Sequence, residues 1–427
     1  MGSLNLTARL VTDFTLPKGT DLPIQFRTNN DGSPGPIPKE GKVVFLFPGQ
    51  GFRGLGHGLM GKLLVEGMLE RGYATPLGAI GSSSGGPAAA IAGMAALGKA
   101  GQVSRADIEA MWLGAHRLLS RPGHLLRSLL SRGVPLPQHE VRDALIAGID
   151  FEAVMTSPTT VGLVGAQNVF KDQAGPFLGA LGGLAVTLGQ YLVNPESEDL
   201  PRVAAVQYKS ATRALRFAWK PVGWVNHLPS GVEKPEQVRV VRDADEMHGA
   251  MLATMNLPGL FGLGHSMVAE LGPHGTTTRF LDGAIAMGAA VTEAVLLGAT
   301  DIIVVTDSAY ANIHWNDVSA AILKGACQVS KAAEVISHPR RLHRVISGTT
   351  KALREKTQPR DVVATMSNTS LNPAERGIRL YALPLLPDHF PDDVIRFGEF
   401  RPTRVGQIMD LSEAMATAAL EALFLGS

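Results

Sequence analysis

Apolar positions along the chain follow two different spacings. Val43–Phe47 is an unbroken apolar run, which predicts a short buried strand. Leu55, Leu59 and Leu63, with Met60, Leu64 and Met68, then recur at intervals of four. That spacing predicts a helix ending near Gly72. Leu77–Ile80 predicts a second strand, and the alanine-rich Pro87–Leu97 a second helix. Thr277–Leu281 and Ile302–Thr306 predict strands on either side of an apolar helix, Ala284–Leu297, and a helix is expected over Leu411–Leu425. Strand–helix alternation from Lys42 to about Asp307 predicts an α/β fold: a mostly parallel central sheet with helices on both faces, a three-layer α/β/α sandwich. Residues 1–41 are polar and turn-rich, with NNDGSPGPIP at 29–38, and are expected to form an N-terminal arm. Residues 103–240 carry a mixed pattern, and 310–427 begin with basic helical stretches.

Composition narrows the function classes. Lys plus Arg number 39 against 38 Asp plus Glu, a net charge of +1. No nucleic-acid partner is expected, because phosphate-backbone binding rests on clustered positive charge. Hydrophobic residues make up 45% of the chain and charged ones 18%, enough for a sizeable core. The 48 glycines are not periodic and point to tight turns and close helix packing. A single cysteine, Cys327, rules out an internal disulfide framework and a cysteine-rich zinc site, and a cytoplasmic location is expected. Residues 1–16 lack the basic segment and apolar run of an export signal. Residues 72–98 and 173–195 are uncharged but broken by proline, glycine and polar residues, so no membrane span is expected.

Three segments carry chemistry. Gly81-Ser82-Ser83-Ser84-Gly85 fits G-x-S-x-G between a predicted strand and a predicted helix, the context in which a sharp turn lifts the central serine out of a sheet. The helix start beyond it favours developing negative charge. Gly49-Gln50-Gly51-Phe52-Arg53-Gly54 matches G-x-G-x-x-G. A dinucleotide fold would need an acid at the end of the next strand, and none occurs between Glu70 and Asp107. The segment is then either an oxyanion hole of backbone N–H groups or a tight turn without a ligand. Asp282-Gly283-Ala284 lies between a strand and a helix. Asp282 is either a helix cap or a general base, if the fold brings it to Ser83.

In this order the three segments resemble the patatin-like phospholipases, whose signatures are G-G-G-x-R-G, G-x-S-x-G and D-G-[GA]. Arg53-Gly54-Leu55 with His57 and Leu63, MNLPGLF at 255–261, and FLDGAIAMGAAVTEAVLLGATDIIVVT at 280–306 extend the resemblance over about residues 43–307. Gln50 departs from the family's middle glycine. The resemblance implies a patatin-like sandwich with Ser83 as nucleophile and Asp282 as its base, without a histidine. It places the oxyanion hole on backbone N–H groups of Gly49–Arg53, with Gly54 closing the loop. Gly81 and Gly85 flank the elbow; Gly283 and Ala284 follow the aspartate. It also implies a fatty-acyl ester or phospholipid substrate. None of the twelve histidines forms HExxH, and no metal or cofactor is expected; contact with membrane or micelle surfaces is expected of a cap formed by residues 173–195. The implied organisation is an arm (1–41), a catalytic domain (42–309) with a variable insert or cap (103–240), and an extension packed on the same domain (310–427).

His57 is expected to pack beside the loop, and His338 and His343 to lie on a solvated basic face. Phe47-Pro48-Gly49-Gln50-Gly51 is similar to the opening of malonyl-CoA:carrier-protein acyltransferases. That family pairs G-H-S-x-G with a separate histidine, whereas Ser82 precedes the nucleophile here. Gly264-His265-Ser266 lacks the elbow glycine, since Val268 stands in its place. The same dyad would serve an acyltransferase, and a catalytically silent binding module is the non-enzymatic alternative. Residues 173–195 are either a mobile apolar cap over Ser83 or a core helix pair.

Overall fold

The computed structural model describes residues 36–49, 54–101, 103–119, 138–168, 219–234, 238–256, 280–283, 290–306, 379–384 and 402–424, with isolated positions 183, 186 and 190. Among these, eight strands form one mixed, mostly parallel sheet, and the fold is α/β. The strands are β1 (Val43–Phe47), β2 (Gly78–Ser82), β3 (Thr160–Asn168), β4 (Trp219–Val225), β5 (Val238–Val240), β6 (Phe280–Asp282), β7 (Asp301–Thr306) and β8 (Arg379–Pro384). Their order is β5-β4-β3-β2-β1-β7-β8, with β6 on β3. The helices are α1 (Gly54–Glu70), α2 (Gly85–Ala95), α3 (Arg105–Leu119), α4 (Gln138–Leu145), α5 (Phe151–Thr156), α6 (Ala244–Thr254), α7 (Val291–Leu296) and α8 (Pro402–Leu423).

Alternation along the strands divides the core between the two sheet faces. Phe45, Phe47, Leu163, Trp224 and Ile303 point into the larger cluster, which helices α1, α2, α3, α6 and α8 complete. Val44, Leu46, Ile80, Val164, Ile302 and Val304 point the other way and meet Ala294, Val295 and Leu297 on and beside α7. Full burial of each large side chain contributes about 1.5–3 kcal/mol, so the continuous apolar runs of β1 and β7 carry much of the stability.

Helix α1 begins at Gly54 and ends in a Schellman turn. Gly72 has φ 73°, its N–H donates to the Leu69 carbonyl, and the Tyr73 N–H donates to the Met68 carbonyl at 3.1 Å. Glycine suits this position because φ > 0 carries no Cβ penalty there. All of α2 is buried, as its small side chains permit: a Cβ on Gly93 would stand 2.2 Å from Val161 Cγ2. The uncharged stretch 72–98 is therefore a strand and a core helix. No helix among the described residues is long and apolar enough to cross a membrane.

Two expectations change. The strand before Asp282 is Phe280–Asp282, and it runs antiparallel to β3, so it is not part of a parallel strand–helix–strand unit. Strand β2 leaves the sheet opposite Val164, and β6 pairs the edge of β3 that β2 leaves exposed, at Gly165–Gln167. That edge holds backbone groups that need partners. The C-terminal helix starts earlier than its apolar spacing suggests, at Pro402, where a proline suits the first turn. The described residues of 103–240 supply helices α3, α4 and α5 and the sheet strands β3, β4 and β5. Residues 310–427 supply edge strand β8, parallel to β7, and α8. Helix α8 meets α1 where Leu420 fills the space beside Gly67. The end of the N-terminal arm docks there too, with the Ile37 N–H donating to the Leu423 carbonyl at 2.8 Å.

Candidate active site

Ser83 follows directly on β2 and precedes α2 by one residue. Among the described residues it is the one non-glycine with a positive φ, 55°. A serine in this left-handed region costs about 1–3 kcal/mol, and such strain persists only where its surroundings enforce it. Two bonds do so. The Ser83 N–H donates to Thr254 Oγ1 at 3.1 Å, and the Gly86 N–H donates to the Ser83 carbonyl at 2.9 Å. The turn leaves Ser83 half-buried while Ser82 is buried.

The flanking glycines are required by contact rather than by φ. A Cβ on Gly81 would stand 2.0 Å from the Gly85 carbonyl oxygen, and one on Gly85 would stand 1.8 Å from that of Phe47. The spacing G-x-S-x-G is thus a packing condition: the strand end, the helix start and β1 meet with no room for a side chain.

The glycine-rich segment after β1 rests on this elbow at both ends. The Gly49 N–H donates to Ser82 Oγ at 3.2 Å. At the other end a Cβ on Gly54 would stand 2.4 Å from the Ser84 carbonyl oxygen. The two ends therefore touch the residues on either side of Ser83. Gln50, Gly51, Phe52 and Arg53, the interior of the expected oxyanion hole, lie outside the described residues, as do Ala284, His338, His343 and nearly all of 173–195.

Asp282 is the last residue of β6 and is fully buried. It pairs with Gly165, whereas Ser82 pairs with the preceding residue, Val164. Strand β4 occupies the opposite edge of β3 at both positions. Strands β2 and β6 therefore approach end to end along one edge, opposite consecutive residues about 3.3 Å apart along the strand. Ser83, directly after β2, and Asp282, 199 positions later in sequence, are thus brought to neighbouring positions along one edge of β3. Gly283 permits the approach: a Cβ there would stand 1.9 Å from the Val164 carbonyl oxygen. Asp282 belongs to a strand, and β6 is followed by only one described residue before 290.

Two contributors to this arrangement carry no role in the sequence reading. Thr254 Oγ1, besides accepting from Ser83, donates to the Val164 carbonyl. The Asn256 carbonyl accepts the Asp282 N–H at 3.0 Å, and its Nδ2 donates to the Phe280 carbonyl at 2.9 Å. Asn256 belongs to MNLPGLF at 255–261, and Thr254 immediately precedes that segment. The signal in the sequence is two polar residues, Thr254 and Asn256, within the otherwise apolar run 250–257. His57 lies within α1 and is fully buried.

Among the described residues, two groups bring positive charge near Ser83 and β6. The N-terminus of α2, beginning two residues after Ser83, places the positive end of a helix dipole beside the serine. Arg239 on β5 stands over the Phe280 ring, 5.9 Å from its centroid, and burial pulls its pKa below the ordinary arginine value. A strained serine, a buried carboxylate at the same strand edge and a helix N-terminus together have the composition of a site for nucleophilic attack and charge stabilisation. No protein-family model matches the chain, and no curated protein is similar enough to count as a match.

Proposed function

We propose that the chain is a serine acyl hydrolase of the patatin-like type, cleaving fatty-acyl esters of the lipase or phospholipase A kind. The reading rests on one observation: a left-handed Ser83 at a strand–helix elbow, level with buried Asp282 across the end of β2. Two core clusters on opposite sheet faces favour the three-layer α/β/α form of the fold. A cytoplasmic location with peripheral contact at lipid surfaces belongs to the same proposal.

In the proposed reaction Ser83 Oγ attacks the ester carbonyl carbon while its proton passes to the Asp282 carboxylate. The carbonyl oxygen takes the negative charge, facing the start of α2 and the N–H groups of the 49–54 segment. Collapse breaks the bond to the alcohol, which leaves with the proton from Asp282. Water then attacks the acyl-serine, giving its proton to Asp282; collapse breaks the acyl–Oγ bond, Asp282 returns that proton to Ser83 Oγ, and the acid departs. An aspartate is a weak base, with a reference pKa of about 3.9. Its use depends on fixed position and on donors already aimed at the oxyanion.

The test is covalent labelling with a fluorophosphonate, followed by peptide mapping. Label on Ser83, lost in Ser83→Ala and reduced by a comparable factor in Asp282→Asn, supports the reading, because members of one catalytic unit are not additive. A Ser83→Ala variant with near-native ester turnover ends it. The sequence Phe47-Pro48-Gly49-Gln50-Gly51 favours a second reading, transfer of the acyl group to an alcohol or carrier. Ester formation in the presence of an added alcohol acceptor, at the expense of free acid, would select it.

A further inference from the structure

One short segment holds both halves of the candidate dyad. Thr254, the last residue of α6, binds the Ser83 N–H at 3.1 Å and the Val164 carbonyl. Two residues later Asn256 binds the Asp282 N–H at 3.0 Å and the Phe280 carbonyl at 2.9 Å. Both side chains are buried, at 0% and 1% exposure. A threonine hydroxyl has one hydrogen and two lone pairs. Its hydrogen goes to β3, and it accepts from the elbow. The Asn256 side chain and backbone hold β6 at its first and last residues.

We infer that Thr254 and Asn256 form a positioning unit that sets Ser83 against Asp282 and holds Ser83 at φ 55°. For its catalytic consequence the inference rests on the acyl-hydrolase reading; its structural content does not. Ser83 and Asp282 come from strands that share no direct ladder, so their spacing depends on what bridges them. Val164 and Gly165 of β3 provide one bridge, and the Thr254–Asn256 turn provides the other. A serine in the left-handed region needs its surroundings to enforce it, and Thr254 binds the N–H of that very residue. Thr254→Val keeps the shape and removes both hydrogen bonds. Ser83 then relaxes, and Oγ swings away from its attack position. Misplacement of about 1 Å costs about 100-fold in rate. Thr254 acts through Ser83 and not on substrate, so kcat falls and KM does not.

The experiment compares wild type, Thr254→Val and Thr254→Ser by fluorophosphonate labelling rate at Ser83, by kcat and KM on a p-nitrophenyl ester, and by amide hydrogen exchange at Ser83. The expected result is a loss of about 100-fold in labelling and kcat for Thr254→Val with KM unchanged. Thr254→Ser, which retains the hydroxyl, stays within about threefold of wild type. Wild-type labelling by Thr254→Val overturns the inference, and so does an equal loss in Thr254→Ser. If the wild type neither labels nor turns over ester, the acyl-hydrolase reading fails while the positioning unit is still judged by exchange. Loss of Ser83 amide protection in Thr254→Val, restored in Thr254→Ser, supports it; unchanged protection overturns it. Should Thr254→Val not fold, Thr254→Cys takes its place with the same expectations, since a thiol is a weak acceptor.

Discussion

Glu293, in the first turn of α7, carries a buried carboxyl whose removal has a calculable effect on stability. It borders a cavity of about 30 Å³ whose other walls include Ile80, Val164, Val225, Val238 and Leu297. Its Oε2 has no hydrogen-bond partner among the described residues. Burial pushes its pKa from 4.5 up to about 7, because a charged carboxylate in an apolar surround loses its hydration. The unfolded chain gives up this proton near pH 4.5, whereas the folded chain keeps it until about 7. Across that interval the unfolded state binds fewer protons, so stability falls as pH rises. The favourable difference is complete below pH 4.5 and gone above about 7. At about 1.4 kcal/mol per pH unit, the full span corresponds to about 3 kcal/mol. Glu293→Gln keeps the shape of the protonated acid and removes the titration. Urea unfolding of both proteins at pH 5 and pH 8 measures the effect. The stability of the variant relative to wild type is expected to rise by about 2–3 kcal/mol between the two pH values. Parallel stability–pH curves for the two proteins would refute the reasoning and place Glu293 in contact with water or a partner charge.

The elbow, the attachment of the C-terminal helix and residues 173–195 offer further tests. Gly85→Ala forces a Cβ onto the Phe47 carbonyl, 1.8 Å away, and is expected to cost about 3 kcal/mol or more in chemical denaturation; a loss under about 1 kcal/mol would show that the elbow has room to move. Arg105 bonds Glu109 on its own helix, and Asp410 and Glu413 on α8. Its side chain is one-third exposed and its α8 partners are more so, at 71% and 43%. Arg105→Ala is therefore expected to cost about 1 kcal/mol or less, diminishing with added salt; a salt-independent loss of several kcal/mol in thermal unfolding would contradict this. If residues 173–195 form a cap, Leu181→Asp or Leu184→Asp depresses turnover of long-chain esters far more than of short soluble ones at nearly unchanged thermal stability. Equal loss on both substrates, or collapse of stability, assigns the segment to the core.

Periodicity located β1, β2, α1, α2 and β7 to within a few residues, because each depends on interactions inside a short window. An apolar run can only be buried as a strand or core helix, and a glycine after a four-residue repeat accepts the left-handed turn that ends it. The elbow was legible in the G-x-S-x-G spacing, but only half of its physical reason is local: a Cβ on Gly81 would meet Gly85 and Gly86, whereas one on Gly85 would meet Phe47, on a strand remote in sequence. The direction of β6 was not legible. A three-residue strand carries no mark of its orientation, and the antiparallel pairing follows from an open edge on β3 that only the completed sheet presents. Thr254 lies 171 positions from the serine whose N–H it binds, and nothing in its neighbours indicates that partner. Asp282 could be read as a helix cap or a base. Its place opposite Gly165, one residue along β3 from the partner of Ser82, comes from strand register, and register is a property of the assembled sheet. The local chemistry of this protein is thus written in short segments of its chain. The meeting of those segments depends on hydrogen-bonded pairing between residues remote in sequence, which no local pattern encodes.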